Sequence, residues 1–539
     1  MRMLPPVLLA LALLSAPPAS AQDHGGHDAA APDADAMPLY EEGLGPFSRA
    51  VTTRSAEAQA YFDQGIQLMY AFAPRMAYRS FEEALERDPR CAMCAWGMAW
   101  ARGPYLNGGM SPADAGPAHE AAERAVRLAS EQDLRPVERA LVEAMATRYE
   151  PEHDDARRER LDTVYAEAMG RVWEAHPGDL DVGTLYGEAL MLLEPRRGMD
   201  DLDRPSMRRI HAVLEDVLAR DLHHPGACHL YIHATEATER ADKAEPCADL
   251  LGSAIPGASH INHMPSHTYN RVGRWGDAVR ANQQAWHSDL KAEVGEGFAI
   301  YPSHNLHMLL FAASNDGQGA VAVQAGKDYG KIVPGGQFYH ALTLLRFGRF
   351  DEVLALDEAP GNAVMRGLWS FARGYAHHEA GAADSAAHWL ARVREDAGQD
   401  GNFRGHAARS LLGVVGGILE GEILREEGRL REAVPVLEAV PVLEAAVELE
   451  DGLRYDEPEP LNFSARHWLG ALLLEAGRAA DAERVYREAL EDHPRNGWSL
   501  KGLELALRAQ DRLGDAELAR RDFERASARS DTWIRASRF

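Results

Sequence analysis

Residues 60–89 read AYFDQGIQLMYAFAPRMAYRSFEEALERDP, and the spacing within them decides the fold. Tyr61 and Gly65 are followed by Ala77, Phe81 and Ala84, and the stretch closes at Pro89. Small residues let two helices of a hairpin approach, an aromatic fills the gap, and proline ends the second helix. The pattern returns at Leu469-Gly470, Ala482, Tyr486, Ala489 and Pro494. Partial copies surround Gly374 and Ala386, Gly421 and Ala433, and Tyr269, Ala278 and Ala285. Gly-Arg turns punctuate them at Gly273-Arg274, Gly348-Arg349, Gly428-Arg429 and Gly477-Arg478. No alternating strand pattern stands out, so the reading is an all-α superhelical solenoid of antiparallel helix hairpins.

The spacing resembles the tetratricopeptide repeat (TPR), whose period near 34 residues implies roughly ten or more hairpins in this chain. The chain also resembles a group of exported bacterial TPR proteins. The resemblance lies in YFDQGIQLMYAF, CAMCAWGMAWARGP, HLYIHATEA, HMPSHTYNRVGR, YPSHNLHML, RHWLGALLLEAGR and NGWSLKGL, across most of residues 46–510. It implies the fold and weight for the histidine motifs, but no reaction.

The chain begins MRMLPPVLLALALLSAPPASAQ. A basic residue, a short apolar core and the small-x-small site Ala19-Ser20-Ala21 predict a signal peptide over 1–21, cut after Ala21. The mature protein is then expected to be periplasmic or secreted, with no membrane span. Residues 22–45 read as a flexible leader rich in His, Asp and Ala. Its first residues, Gln22-Asp23-His24, could wrap Cu(II) or Ni(II), although a solvated tail is the simpler reading. An N-terminal repeat lobe is expected over 46–312, a glycine-rich connection over 313–337 and C-terminal repeats over 338–539. A tandem EAVPVL at 432–443 carries two prolines expected to cut or kink a helix. Formal charge is −26; so acidic a surface repels phosphate backbones, which argues against nucleic acid as a partner.

The specific chemistry is in histidines. His229 and His233 precede His263 and His267 by 34 residues, so two H-x3-H pairs hold equivalent places on adjacent hairpins. The TPR resemblance implies that these positions, with His260, face the concave groove. Side chains four apart share a helix face, and neighbouring helices lie about 8–10 Å apart, so four imidazoles can converge on one or two metal ions. His304 and His307 add a third set. Pro265 interrupts the second pair, so His263 is expected before the helix proper. Imidazole with carboxylate suits copper, zinc or iron, and no organic cofactor motif is present. Glu236 and Glu188 are the candidate bases if the site is catalytic. If instead the groove takes a protein or peptide partner, Asn270 and Arg271 extend its polar floor, and Trp96 and Trp100 offer anchors.

The four cysteines are read as follows. Cys91 and Cys94 in CAMC are candidates for soft metal ligation or a redox pair, weighed against simple packing as small free thiols. Export permits a bridge between Cys228 and Cys247, but hairpin arms pair best at other offsets, so free thiols are expected there too.

Overall fold

The computed structural model describes residues 37–539 except 153, 196–197, 358–359 and 431–435. The signal peptide, its cleavage site and His24 lie outside the described residues. The chain is an all-α, TPR-like array running from helix Ala56–Tyr70 to helix Leu513–Ala526. Among the described residues the only strands form a two-residue ladder, Asn402–Phe403 against His406–Ala407. No described helix is long and apolar enough to cross a membrane.

The opening stretch folds as read. Ser55 caps Ala56–Tyr70, its hydroxyl accepting from the Ala58 N–H at 3.1 Å, and Pro74 starts the returning helix Pro74–Arg87. Phe81 is fully buried. A Cβ built on Gly65 would stand 2.5 Å from its ring, and one on Gly97, in the next helix, also 2.5 Å. One aromatic thus keys its own hairpin and the following one, so a side chain at either glycine would push two layers apart. Tyr486 repeats the device, with Gly470 and Gly502 meeting its ring at 2.4 and 2.3 Å by the same measure. Burying such a ring contributes on the order of 2–3 kcal/mol.

Three expectations about the punctuation change. The glycine-rich stretch 313–337 is not a structureless connection: it holds helix Gly319–Ile332. Its glycines serve close packing, since a Cβ on Gly326 would sit 2.7 Å from the Thr343 hydroxyl oxygen. Gly428-Arg429 lies inside helix Ala408–Leu430 instead of forming a turn. Pro441 sits inside helix Val436–Asp451 rather than cutting it, at the cost of one intrahelical backbone bond; the other proline of that tandem, Pro435, lies outside the described residues. The Gly-Arg turns at Gly273, Gly348 and Gly477 do form, each glycine at positive φ (72°, 67° and 74°).

The C-terminal repeats fasten back onto the middle of the chain. The Trp275 indole donates to the Pro494 carbonyl at 2.9 Å, and Asn496 donates to Asn315 at 2.7 Å. Asn462 donates to Ser314 at 2.9 Å, and Arg529 clamps Asp316 with two bonds of 2.8 and 2.6 Å. The Asp531 carboxylate accepts from the Gly319 and Ala320 N–H groups at the start of helix Gly319–Ile332.

All four cysteines are in disulfides, correcting the expectation of free thiols. Cys91 pairs with Cys94 (Cα–Cα 5.3 Å) and Cys228 with Cys247 (Cα–Cα 5.1 Å). The second bridge forms because the returning arm is broken into a short turn, Ala241–Ala244, and a short helix, Glu245–Leu251. That break moves Cys247 out of regular hairpin register and onto Cys228.

Candidate metal centre

Four helices on three successive arms carry the histidines. Pro225–Thr235 bears His229 and His233 and begins at a helix-compatible proline, with His224 Nδ1 accepting from the Ala227 N–H at 3.2 Å. The next arm is split into Ser259–His263 and Pro265–Arg271 around Met264, because proline supplies no donor at the junction. His263 therefore ends one short helix and His267 sits in the next. His304 and His307 lie on Pro302–Asp316, entered through Tyr301 in the left-handed region (φ 58°).

These side chains do not line an open groove. His229, His233, His260, His263, His267 and His304 are 0, 1, 0, 0, 3 and 5 % exposed. The cluster is closed over by aromatic and acidic groups from distant parts of the chain. The Phe72 ring lies 4.0 Å from His229 and stacks at 5.9 Å on His233 and 5.6 Å on His260. Tyr301 stands edge-on to His260 at 5.0 Å, its hydroxyl bonded to that of Tyr105 at 2.8 Å. Glu457 reaches His267 Nδ1 at 3.6 Å.

The hydrogen bonds orient the rings. His229 Nδ1 lies 2.6 Å from the Tyr70 carbonyl and His263 Nδ1 lies 2.9 Å from Asn282 Oδ1. Asn282 itself donates through Nδ2 to the Ala278 carbonyl at 2.8 Å, which identifies Oδ1 as the acceptor. The two oxygens of Glu236 accept from His233 Nδ1, at 2.8 Å, and from His267 Nδ1. In all four rings the proton is thus called to Nδ1, leaving Nε2 with a lone pair, the arrangement by which outer partners fix a metal-ligating imidazole. His263 Nε2 and His267 Nε2 then face each other at 2.7 Å. Two lone pairs at that separation repel unless a proton on one ring, or a metal ion beside both, lies in the contact. His229 Nε2 and both nitrogens of His260 have no protein partner.

Burial, then neighbouring imidazoles, push His229, His260 and His263 well below the usual histidine range, so these three rings are neutral at neutral pH. Burial alone would raise Glu236, but its pairing with His267 and His233 holds it well below the usual carboxylate range.

Among the described residues, donor atoms come within 4.8 Å of one another in two imidazole-only sets: His229, His233, His260 and His263, His267, His304. A third grouping joins His233, Glu236, His267 and Glu457. His307 departs from the expectation: it joins none of these sets and packs on Tyr339, with ring centroids 4.5 Å apart. Cys91 and Cys94 are withdrawn as metal candidates, since each sulfur is bonded to the other. Trp96 and Trp100 are buried rather than displayed; Trp100 donates to Glu188 at 3.3 Å beside a small recess that also touches His229. Burial raises the Glu188 carboxyl. With both oxygens engaged by imidazoles, Glu236 is placed as an orienting group rather than a free base. A fourth acidic grouping, His378, Glu379 and Glu422, is taken up by Arg425 and Arg538, which lie 2.8 and 3.3 Å from Glu422.

Phe72, Asn282, Tyr301 and Glu457 escaped the sequence reading. Only the DEPEP turn at 456–460 carried a visible signal, an acidic run broken by prolines. Arg271 sits where that turn meets the cluster. A cavity of about 350 Å³ lies between Arg271, Glu450, Arg466 and His493. A narrower recess shares Arg271 and Glu459 with it and continues past Asn270 and Met308 to His267.

The sequence matches no family model and no curated protein. Solved structures similar to it include the Cut9 chain of an APC/C hetero-tetramer with Hcn1 (13 % identity, 88 % of each chain, TM-score 0.29). Human IFIT1 in its dimer with PPP-AAAA is 11 % identical over 88 % of this chain and 92 % of that one, at 0.29. Yeast Tom70 is 10 % identical over 87 % and 90 %, at 0.28. Scores this low carry no argument about function.

Proposed function

We propose that the chain is an exported TPR-like scaffold whose function centres on a buried, histidine-lined transition-metal site. The observation that carries this reading is the 2.7 Å approach of His263 Nε2 and His267 Nε2, with both Nδ1 atoms turned to acceptors. The buried His229 Nε2 and both His260 nitrogens, without partners among the described residues, cost about 1–3 kcal/mol each, and a metal ion relieves that cost by taking their lone pairs. Imidazole donors suit copper, zinc or iron. Two disulfides accord with an oxidising compartment, the one the N-terminal sequence predicts.

The first test is elemental analysis of the mature chain from residue 22 after dialysis against a weak chelator, beside a His263→Ala/His267→Ala variant. Near-stoichiometric copper, zinc or iron in the parent and its loss in the variant are expected. Metal retained by the variant but lost on deleting residues 22–36 would move the site to the leader, and no metal in the parent would end the reading.

A metal-dependent enzyme is the second reading, favoured by the recess that leads from the Arg271 cavity to His267. A small molecule using that route would meet Arg271 before the metal. Tryptophan at Asn270 would then abolish turnover of any substrate found, with metal content unchanged.

A further inference from the structure

The donor sets repeat as the fold repeats. His229 and His233 on one helix are joined by His260 from the next arm; His263 and His267 on that arm are joined by His304 from the helix after it. Each set is therefore one H-x3-H pair plus one imidazole borrowed from the following layer. Metal–nitrogen bonds of about 2.0–2.1 Å allow two donors of one ion to lie at most about 4 Å apart. The donor atoms of each imidazole-only set lie within 4.8 Å of one another, a spread that small ring rotations bring within that limit. Six imidazoles also exceed the four ligands usual for zinc or copper in such surroundings. Glu236 lies between the sets, accepting from His233 of one and His267 of the other.

Resting on the metal reading above, we propose that the centre is dinuclear: one copper or zinc ion on His229, His233 and His260, a second on His263, His267 and His304, with Glu236 as the carboxylate that orients one ligand of each. Three imidazoles leave each ion an open position and bring no negative charge of their own. One negative charge shared between the ions lowers their mutual repulsion in a buried site, where Coulomb terms are least screened.

The test is titration of the metal-depleted full chain with Cu(I) and, separately, Zn(II), with the ions per chain counted by native mass spectrometry. The parent is expected to take two ions of at least one metal. His260→Ala and His304→Ala are each expected to take one, and Glu236→Gln two, with affinity weakened by 10- to 100-fold, as outer-sphere ligand partners usually show. Circular dichroism matching the parent confirms that each variant is folded, and His260→Leu and His304→Leu replace any alanine variant that is not. One ion in the parent, lost equally in the His260 and His304 variants, overturns the dinuclear assignment while leaving a mononuclear site. Loss of an ion in Glu236→Gln with none lost in His260→Ala overturns it in favour of the mixed His–Glu grouping. No ion in the parent with either metal overturns both readings.

Discussion

The C-terminal repeat around Tyr486 and the middle region around His263 are built from the same hairpin plan to opposite ends. Around Tyr486 the helices are regular, Ala479–Asp492 facing Gly470 and Gly502, and the centre of each layer is an apolar ring locked between glycines. Around His263 the arms are broken, at Met264 and again between Ala244 and Glu245, and the layer centre is a set of imidazoles. Apolar packing rewards regular helices, whereas convergence of lone pairs needs rings aimed from several directions, which a straight helix does not supply. The cysteine bridge from Cys228 to Cys247 ties down the region where packing is least uniform.

The comparison can be broken most severely at its regular end. Phe81→Ala removes a ring that serves two layers and should cost about 3–5 kcal/mol in urea unfolding. A loss under about 1 kcal/mol would mean that the layers are not keyed as described. Next is Cys228→Ser/Cys247→Ser, which opens a loop of 19 residues; the chain-entropy model puts the loss at about 3 kcal/mol. Hydrogen exchange should locate that loss in 225–271 and spare 466–526.

The imidazole end should behave in the opposite sense. In metal-free protein, His260→Leu removes two buried nitrogens without partners, so stability should hold or rise by about 1–2 kcal/mol, read as a higher melting temperature. A marked loss would show that His260 has a packing role an isobutyl group cannot fill.

Smallest is a pH effect away from the cluster. Burial pushes the Glu450 carboxyl up to about 7, against hydrogen bonds from Ser464 and the Ala465 N–H that favour its charge. The folded chain then holds this proton after the unfolded chain has released it, so stability falls as pH rises from about 4.5 to 7 and is flat above. Glu450→Gln should remove that slope and leave the protein more stable than the parent at pH 8, read by parallel urea melts at pH 5 and 8.

Much of this was legible in the chain. The aromatic and its glycines sit at fixed local offsets, so Phe81, Tyr486 and three of four Gly-Arg turns were readable; Gly428 failed because a glycine alone does not end a helix whose flanks continue it. The two histidine pairs were readable because they recur one period apart. Their burial was not: Phe72 and Glu457 come from places roughly 160 residues before and 190 after the cluster, and no local pattern encodes such a meeting. The Cys228–Cys247 bridge was missed because its geometry depends on an irregular arm.

The fastening of Arg529 and Asp531 onto residues 316–320 has a kinetic side. In a free-ended stack each repeat needs only its neighbour, and folding can start anywhere and spread. Here Arg529 must find a partner more than 200 residues upstream. That raises the contact order and makes final assembly wait on a long loop closure.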